Sequence, residues 1–150
     1  MQKVRIFDML YRSSSAARLN TLDGLRVLLL EDDPLTAWHL AANLGKCGAV
    51  AYTPRHSALS VDSLFNEVGI ISKVDVAILD ADLGTHTSET FALRLHASNV
   101  PFLFYTGDKS AVAGFLRKHD VPVVEKPAHV DTIAQTTLRL LASRRMAADA

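Results

Sequence analysis

Residues 27–34, VLLLEDDP, decide the fold, because they join an apolar run to a cluster of acids and then to a helix start. The run Val27–Leu30 has the composition of a strand buried on both faces, which is typical of parallel sheets. Asp33 stands where a helix N-cap belongs, and Pro34 stands at the first helical position. The stretch therefore predicts a strand, an acidic loop and a helix in direct succession.

Apolar runs and helical stretches alternate along the rest of the chain. The predicted strands are Arg26–Leu30, Val50–Thr53, Val74–Leu79, Pro101–Tyr105 and Val121–Glu125. The predicted helices are Pro34–Lys46, Ala58–Val68, Glu89–Ala97, Ser110–Lys118 and Val130–Arg145. Short apolar strands that alternate with helices predict an α/β fold, a doubly wound five-stranded parallel sheet with helices on both faces.

Length and composition narrow the class of protein. A chain of 150 residues is expected to form one domain with a sizeable core. The 16 basic and 16 acidic side chains balance, so no excess charge indicates nucleic acid or an anionic membrane as a partner. Cys47 is the single cysteine, which excludes an internal disulfide and fits a reducing compartment. With no apolar stretch long enough to span a bilayer and no signal-peptide core, we expect a soluble cytoplasmic protein without membrane partners.

Three segments are predicted along the chain. Residues 1–24 form an N-terminal extension, which either is mobile or packs on the domain or on a second copy to make a homodimer. Residues 25–146 form the domain, and residues 147–150 form a C-terminal tail.

Polar side chains follow the strands at the edge where ligands bind in such sheets. Glu31 and Asp32 follow the first predicted strand, Asp80 the third, Thr106 the fourth and Lys126 the fifth. Carboxylates packed together repel one another, and a hard divalent cation such as Mg²⁺ relieves that repulsion. Asp80 can then act as a nucleophile toward a phosphoryl group, to which Thr106 donates a hydrogen bond and Lys126 supplies positive charge.

Four segments resemble the receiver domains (CheY-like) of bacterial response regulators over residues 25 to about 145. They are VLLLEDDPL with the acid pair, VAILDADLG with the acceptor, PFLFYTGD with the hydroxyl and VVEKPA with the lysine. The resemblance implies the flavodoxin-like strand order 2-1-3-4-5. Proteins with this order bind ligands beyond the carboxyl ends of their strands. It also implies that Asp80 is the phosphoacceptor.

The resemblance assigns roles to the other residues. Glu31 and Asp32 become the acidic pair that holds Mg²⁺ together with Asp80, and the backbone carbonyl of Asp82 completes the metal shell. Thr106 and Lys126 become the pair that binds the phosphoryl group. A cis peptide bond is implied between Lys126 and Pro127.

The segment PFLFYTGD is similar to the Phe-Ala-Thr-Gly signature of a stand-alone receiver subfamily nicknamed FAT GUY, common in alphaproteobacteria. Tyr105 replaces the alanine of that signature, and Val123 stands where most receivers carry an aromatic switch residue. The acidic side chains of Asp82 and Asp108 also depart from the pattern. We expect Asp82 to slow phosphorylation or alter the lifetime of the phosphoryl group, and Asp108 to affect the access of hydrolytic water.

The resemblance implies a single-domain response regulator that is not an enzyme beyond self-phosphorylation and autodephosphorylation. Its expected partners are a sensor histidine kinase or phosphotransfer protein and a downstream protein target, with no DNA-binding domain. Two alternatives remain open. One is an interaction module that works without phosphorylation. The other is a haloacid-dehalogenase-like phosphatase with Asp80 as nucleophile and Asp82 as acid, although those enzymes place their metal-binding acid pair late in the chain.

Overall fold

A computed structural model of the chain describes residues 21–54, 61–66 and 70–150. Its strands are β1 (Arg26–Leu30), β2 (Val50–Tyr52), β3 (Val76–Leu79), β4 (Phe102–Thr106) and β5 (Val123–Glu125). Its α-helices are α1 (Pro34–Lys46), α2 (Val61–Asn66), α3 (Ile70–Lys73), α4 (Glu89–Ala97), α5 (Ala113–Leu116) and α6 (Val130–Ala148). A 3₁₀ helix, Lys109–Val112, precedes α5. A helical segment therefore follows each strand.

The five strands form one parallel sheet with the order β2-β1-β3-β4-β5. This confirms the predicted fold class and the strand order that the resemblance implied. The register pairs Leu30 of β1 with Leu79 of β3, and Thr106 of β4 with Glu125 of β5. The C-terminal ends of these four strands consequently lie side by side at one edge of the sheet.

The core consists of two hydrophobic clusters on opposite faces of the sheet. Alternate residues of β1 enter different clusters, with Leu28 in the first cluster and Leu29 in the second. Both leucines are almost fully buried, and such burial stabilises the fold by about 1.5–3 kcal/mol for each side chain. The strands are apolar throughout because both of their faces are covered, as in other parallel sheets.

Helix α1 begins and ends where the sequence predicts. The side chain of Asp33 caps the helix by accepting a hydrogen bond from Thr36 N at 3.1 Å, and Pro34 occupies the first turn. Helix α4 also has its predicted bounds. Helix α6 extends beyond the predicted Arg145 to Ala148, through residues that favour helices.

Two further predicted helices differ in the structure. The predicted regular helix over residues 110–118 is instead a 3₁₀ helix followed by the short α5. The side chain of Asp108 caps the 3₁₀ helix by accepting a hydrogen bond from Ser110 N at 2.9 Å, and such a cap can start either kind of helix. The predicted helix over residues 58–68 is represented by α2, and its remaining residues, 58–60 and 67–68, lie outside the described part of the chain.

The described end of the predicted N-terminal extension packs against the domain. Leu22 is completely buried in the second cluster, and its N–H donates to the carbonyl of Cys47 at 2.9 Å. Gly24 N likewise donates to Gly48 O at 3.0 Å. Residues 1–20 of the extension lie outside the described residues. Among the described helices, none combines the length and apolar character that crossing a membrane requires.

Candidate functional site

The predicted site residues meet at the C-terminal edge of the sheet. Glu31 and Asp32 follow β1, Asp80 follows β3, Thr106 ends β4 and Lys126 follows β5. Residues separated by up to 95 positions in the sequence are thereby brought into contact. The parallel sheet achieves this because it places the ends of neighbouring strands together.

Asp80 is at the centre of this group. Its Oδ1 atom accepts hydrogen bonds from the hydroxyl of Thr106 at 2.9 Å and from the backbone N–H of Asp82 at 3.3 Å. Its Oδ2 atom lies 2.7 Å from the ammonium nitrogen of Lys126. Only 12% of the Asp80 side chain is exposed. Each carboxylate oxygen therefore has a donor beside it, in a pocket that admits little water.

Lys126 connects Asp80 to Glu31, because its ammonium nitrogen also binds Glu31 Oε2. The other carboxylate oxygen of Glu31 accepts a hydrogen bond from Asp33 N at 3.1 Å. Burial raises the pKa of Glu31, and the bond to Lys126 only partly opposes this. Burial acts to lower the pKa of Lys126, but its bonds to Asp80 and Glu31 outweigh burial and raise that pKa. The lysine is thus held charged between the two acids.

Glu31, Asp32 and Asp80 present a group of carboxylate oxygens that all lie within 4.8 Å of one another. Hard oxygen donors at this spacing fit Mg²⁺, which binds through a few carboxylates and keeps several waters. The carbonyl of Asp82 is a fourth candidate ligand. The neighbouring loop bonds, Leu83 N to His86 O and Ser88 N to Ala81 O, do not use that carbonyl.

Gly84 brings the loop after β3 against the acids after β1. Its φ angle is +80°, a backbone conformation that residues other than glycine rarely adopt. A Cβ atom at this position would lie 2.8 Å from Oδ2 of Asp32. The close approach therefore requires glycine, because only a residue without a Cβ leaves room for the Asp32 carboxylate.

The side chains of Asp82 and Asp108, the two acids that depart from the receiver pattern, form hydrogen bonds within their own turns. The exposed side chain of Asp82 accepts a hydrogen bond from Gly84 N at 2.9 Å. The side chain of Asp108 accepts from Ser110 N, while its backbone N–H donates to the Thr106 hydroxyl at 3.2 Å. Both acids thus have local structural roles beside the site.

Thr106 and Lys126 are fixed relative to each other by the backbone. Thr106 is 1% exposed, and its carbonyl accepts a hydrogen bond from Lys126 N at 2.9 Å. The next peptide bond, Lys126–Pro127, is cis. Val123, three residues before the lysine, is a half-buried aliphatic residue that packs against the first core cluster.

Two residues that the sequence did not single out as parts of the site, Gly84 and Tyr105, contact it in the structure. The ring of Tyr105 lies against Lys126, with 5.4 Å between the ring centroid and the ammonium nitrogen. Neither contact follows from local sequence, because each joins the ends of two different strands. A glycine two residues after Asp82 was the one local sign of a tight turn.

No protein-family model and no curated protein matches the sequence. Solved structures do match it. A response regulator receiver protein from Sinorhizobium medicae WSM419 superimposes with a TM-score of 0.67 at 17% identity, covering 82% of this chain and 98% of that chain. A response regulator receiver protein from Burkholderia phymatum gives 0.64 at 20% identity, covering 79% and 95%.

A third solved structure is also similar to this chain. The signal receiver domain of a modulated diguanylate cyclase from Desulfovibrio desulfuricans G20 has a TM-score of 0.69 at 23% identity, covering 83% of this chain and 98% of that domain. Each likeness extends over nearly the whole length of the matched receiver. The chain therefore has the fold of response regulator receiver domains.

Proposed function

We propose that this chain is a response-regulator receiver domain that accepts a phosphoryl group on Asp80 and signals through protein contacts. The observation that carries the proposal is the convergence on Asp80 of Thr106 and Lys126, one at each carboxylate oxygen. Hydroxyl and ammonium donors are what the oxygens of a phosphoryl group require. A hydrogen-bond donor and a positive charge beside a nucleophilic carboxylate support phosphoryl transfer, which depends mainly on positioning and charge stabilisation.

In the proposed step, an Asp80 carboxylate oxygen attacks phosphorus and forms an O–P bond. The P–N bond of a phosphohistidine donor breaks, and its electron pair remains on the imidazole nitrogen, which then takes up a proton. Thr106 donates its hydroxyl hydrogen to one oxygen of the transferred group, and Lys126 pairs with another. The product is an acyl phosphate on Asp80.

Glu31, Asp32, Asp80 and the carbonyl of Asp82 would hold Mg²⁺ in this scheme. The ion supplies charge neutralisation for the phosphoryl oxygens when it is bound. The chain's own contribution is to keep the acids together, since Asp33 N and Lys126 orient Glu31, and the glycine at position 84 leaves room for Asp32.

The proposed phosphoryl donor is a sensor histidine kinase or a phosphotransfer protein, and the proposed output is a protein target. A phosphoryl group on Asp80 changes the charge that Thr106 and Lys126 face, which shifts the population of two conformers. The similarity of PFLFYTGD to the Phe-Ala-Thr-Gly signature supports placement in the stand-alone FAT GUY subfamily. External phosphomonoesters are not turned over in this scheme, in contrast to a haloacid-dehalogenase-like phosphatase.

The test is intact mass spectrometry after incubation with Mg²⁺ and acetyl phosphate. One added phosphoryl group is expected on the wild-type protein, and none on Asp80→Asn or when a chelator removes the ion. Asp149→Asn, which removes an exposed acid at the end of α6, is the matched control and should retain the adduct. An adduct that persists in Asp80→Asn would refute the assignment of the acceptor.

The bridge from Lys126 to Glu31 and Asp80 favours a second candidate, an interaction module that works without phosphorylation. The ammonium already offsets part of the acidic charge, so the site can persist without a phosphoryl group. The same mass experiment separates the two candidates. Absence of any adduct on the wild-type protein, with both acetyl phosphate and a phosphorylated histidine donor, would favour the interaction module.

A further inference from the structure

Tyr105 links the candidate site to the start of α6. The side chain of this half-buried residue lies on the second core cluster, on the opposite face of β4 from Phe104. Its ring contacts the ammonium group of Lys126, and its hydroxyl accepts a hydrogen bond from the backbone N–H of Ala128 at 3.4 Å. One side chain thus contacts both the lysine and the segment that follows the lysine.

The ring contact restricts where the Lys126 ammonium can lie. A cation is attracted to the face of an aromatic ring, more strongly when water is partly excluded, and only 22% of the Lys126 side chain is exposed. Asp80 and Glu31 bind the same ammonium group. The ring and the two carboxylates therefore define one position for the charge, directed at Asp80.

The hydroxyl contact reaches the chain segment that leads into α6. Ala128 precedes His129, whose side chain accepts a hydrogen bond from Asp131 N at 3.2 Å at the N-terminus of that helix. A displacement of the Tyr105 ring would therefore change a backbone hydrogen bond one residue before the helix cap. Tyr105 and Val124 are paired in the sheet, which fixes the tyrosine backbone while its side chain contacts Lys126 and Ala128 beyond the end of β5.

We propose that Tyr105 is a positioning residue, which orients Lys126 toward the phosphoryl group on Asp80 and transmits movement of Lys126 to the start of α6. This inference rests on the proposed phosphorylation of Asp80. Phosphorylation places new negative oxygens beyond the Asp80 carboxylate, so the ammonium must follow them and its contact with the ring must change. The energy of that contact then differs between the two states, as any switch requires.

A double-mutant cycle tests the positioning role. Tyr105→Leu should lower the rate of phosphorylation by acetyl phosphate by about three- to tenfold, the range expected for loss of a partly buried cation–π contact. In a Lys126→Met background, the same substitution should have no further effect on the rate. Tyr52→Leu, on the opposite edge strand β2, is the matched control and should leave the rate unchanged. Denaturant unfolding of each variant verifies that it is folded.

Hydrogen exchange tests the transmission to α6. Phosphorylation of the wild-type protein should change amide hydrogen exchange at residues 128–133. Tyr105→Phe keeps the ring and loses the hydroxyl, so it should reduce that change while retaining most of the phosphorylation rate. If Tyr105→Leu lowered the phosphorylation rate equally with and without Lys126, the positioning role would be overturned. If phosphorylation changed hydrogen exchange as much in Tyr105→Phe as in the wild-type protein, transmission to α6 would be overturned. Failure of the wild-type protein to accept a phosphoryl group would instead reject the proposed function, and this inference with it.

Discussion

The ammonium nitrogen of Lys126 lies 2.7 Å from Oδ2 of Asp80, a contact between residues 46 positions apart in the sequence. Because the lysine also binds Glu31, it contacts two of the three carboxylates of the candidate cation site. Lysine and metal ion therefore act on the same negative charge. This relationship has consequences for metal affinity and for stability.

Lys126→Met should bind Mg²⁺ at least about tenfold more tightly than the wild-type protein, because a positive charge a few ångström from the ion is removed. In the absence of the ion, the variant should be less stable by about 1–3 kcal/mol, since Glu31 and Asp80 lose their shared partner in a largely buried site. Calorimetric titration with Mg²⁺ and urea unfolding in a chelator measure the two effects.

Lys109→Met is the matched control for this charge removal. Lys109 pairs with Glu125 at 2.9 Å on the surface, where more than 60% of each side chain is exposed. Exposed pairs contribute little to stability, so the control should alter neither property appreciably. Weaker Mg²⁺ binding by Lys126→Met would contradict the view that lysine and ion compete.

Asp75 gives stability a dependence on acidic pH. Its carboxylate accepts hydrogen bonds from the Arg26 side chain and from Arg26 N, at 2.8–3.1 Å, and these hold its pKa below the ordinary value of 3.8. Because this pKa is depressed, the stabilisation of the fold by the Asp75 carboxylate is present above pH 3.8 and is lost as pH falls through the folded-state pKa. Asp75→Asn keeps an acceptor for the backbone N–H but cannot titrate.

The free energy of unfolding of the wild-type protein should therefore fall more steeply below about pH 4 than that of Asp75→Asn. Urea unfolding measured at intervals from pH 3 to pH 6 checks this. High salt should reduce the difference in pH dependence between the two proteins, because the Arg26–Asp75 pair is partly exposed and salt screens it. Parallel curves for the two proteins across this range would refute the assignment.

Gly84→Ala should weaken Mg²⁺ binding as well as stability. The backbone conformation at φ +80° costs about 1–2 kcal/mol for a residue with a Cβ, and that Cβ would lie 2.8 Å from Oδ2 of Asp32. The Asp32 carboxylate must move, so we expect about a tenfold loss of affinity in calorimetric titration, the lower end of the range for disturbing residues that orient metal ligands.

Gly24→Ala separates the cost of the backbone conformation from the effect of the contact with Asp32. Gly24 has a φ of +72°, but a Cβ there would meet no atom within 4 Å. This variant should show a similar backbone cost without any change in Mg²⁺ affinity. If both variants lost affinity equally, the contact with Asp32 would not be the reason.

The sequence predicts the fold because strands and helices leave local patterns, and the structure brings the predicted site residues together at one edge of the sheet. The N-cap at Asp33 and the apolar run before Asp80 each identify one element, and the parallel topology then brings their ends together. The 3₁₀ helix after β4 was not predicted, because its cap at Asp108 gives the same sequence signal as the cap of a regular helix. The Tyr105–Lys126 contact requires the register of β4 and β5, which no local pattern contains.

Asp82 provides the most direct test of how charge beside the site affects the proposed phosphoryl transfer. Its side chain is exposed and bound to Gly84 N, and asparagine can accept the same hydrogen bond. Asp82→Asn should therefore keep the loop while removing one negative charge, and raise the rate of phosphorylation by acetyl phosphate about two- to fivefold at low salt. The gain should shrink at 0.5 M NaCl, because an exposed charge is screened.

The matched variant for that experiment is Asp82→Ala, which removes the charge and the hydrogen bond to Gly84 together. Because this hydrogen bond holds the loop that approaches the Asp32 carboxylate, we expect this variant to lose Mg²⁺ affinity and so to gain less in rate than Asp82→Asn. Intact mass measured over time gives both rates. An unchanged rate in Asp82→Asn at low salt would show that the acid acts only as a loop cap, whereas equal gains in both variants would show that its charge matters and its hydrogen bond does not.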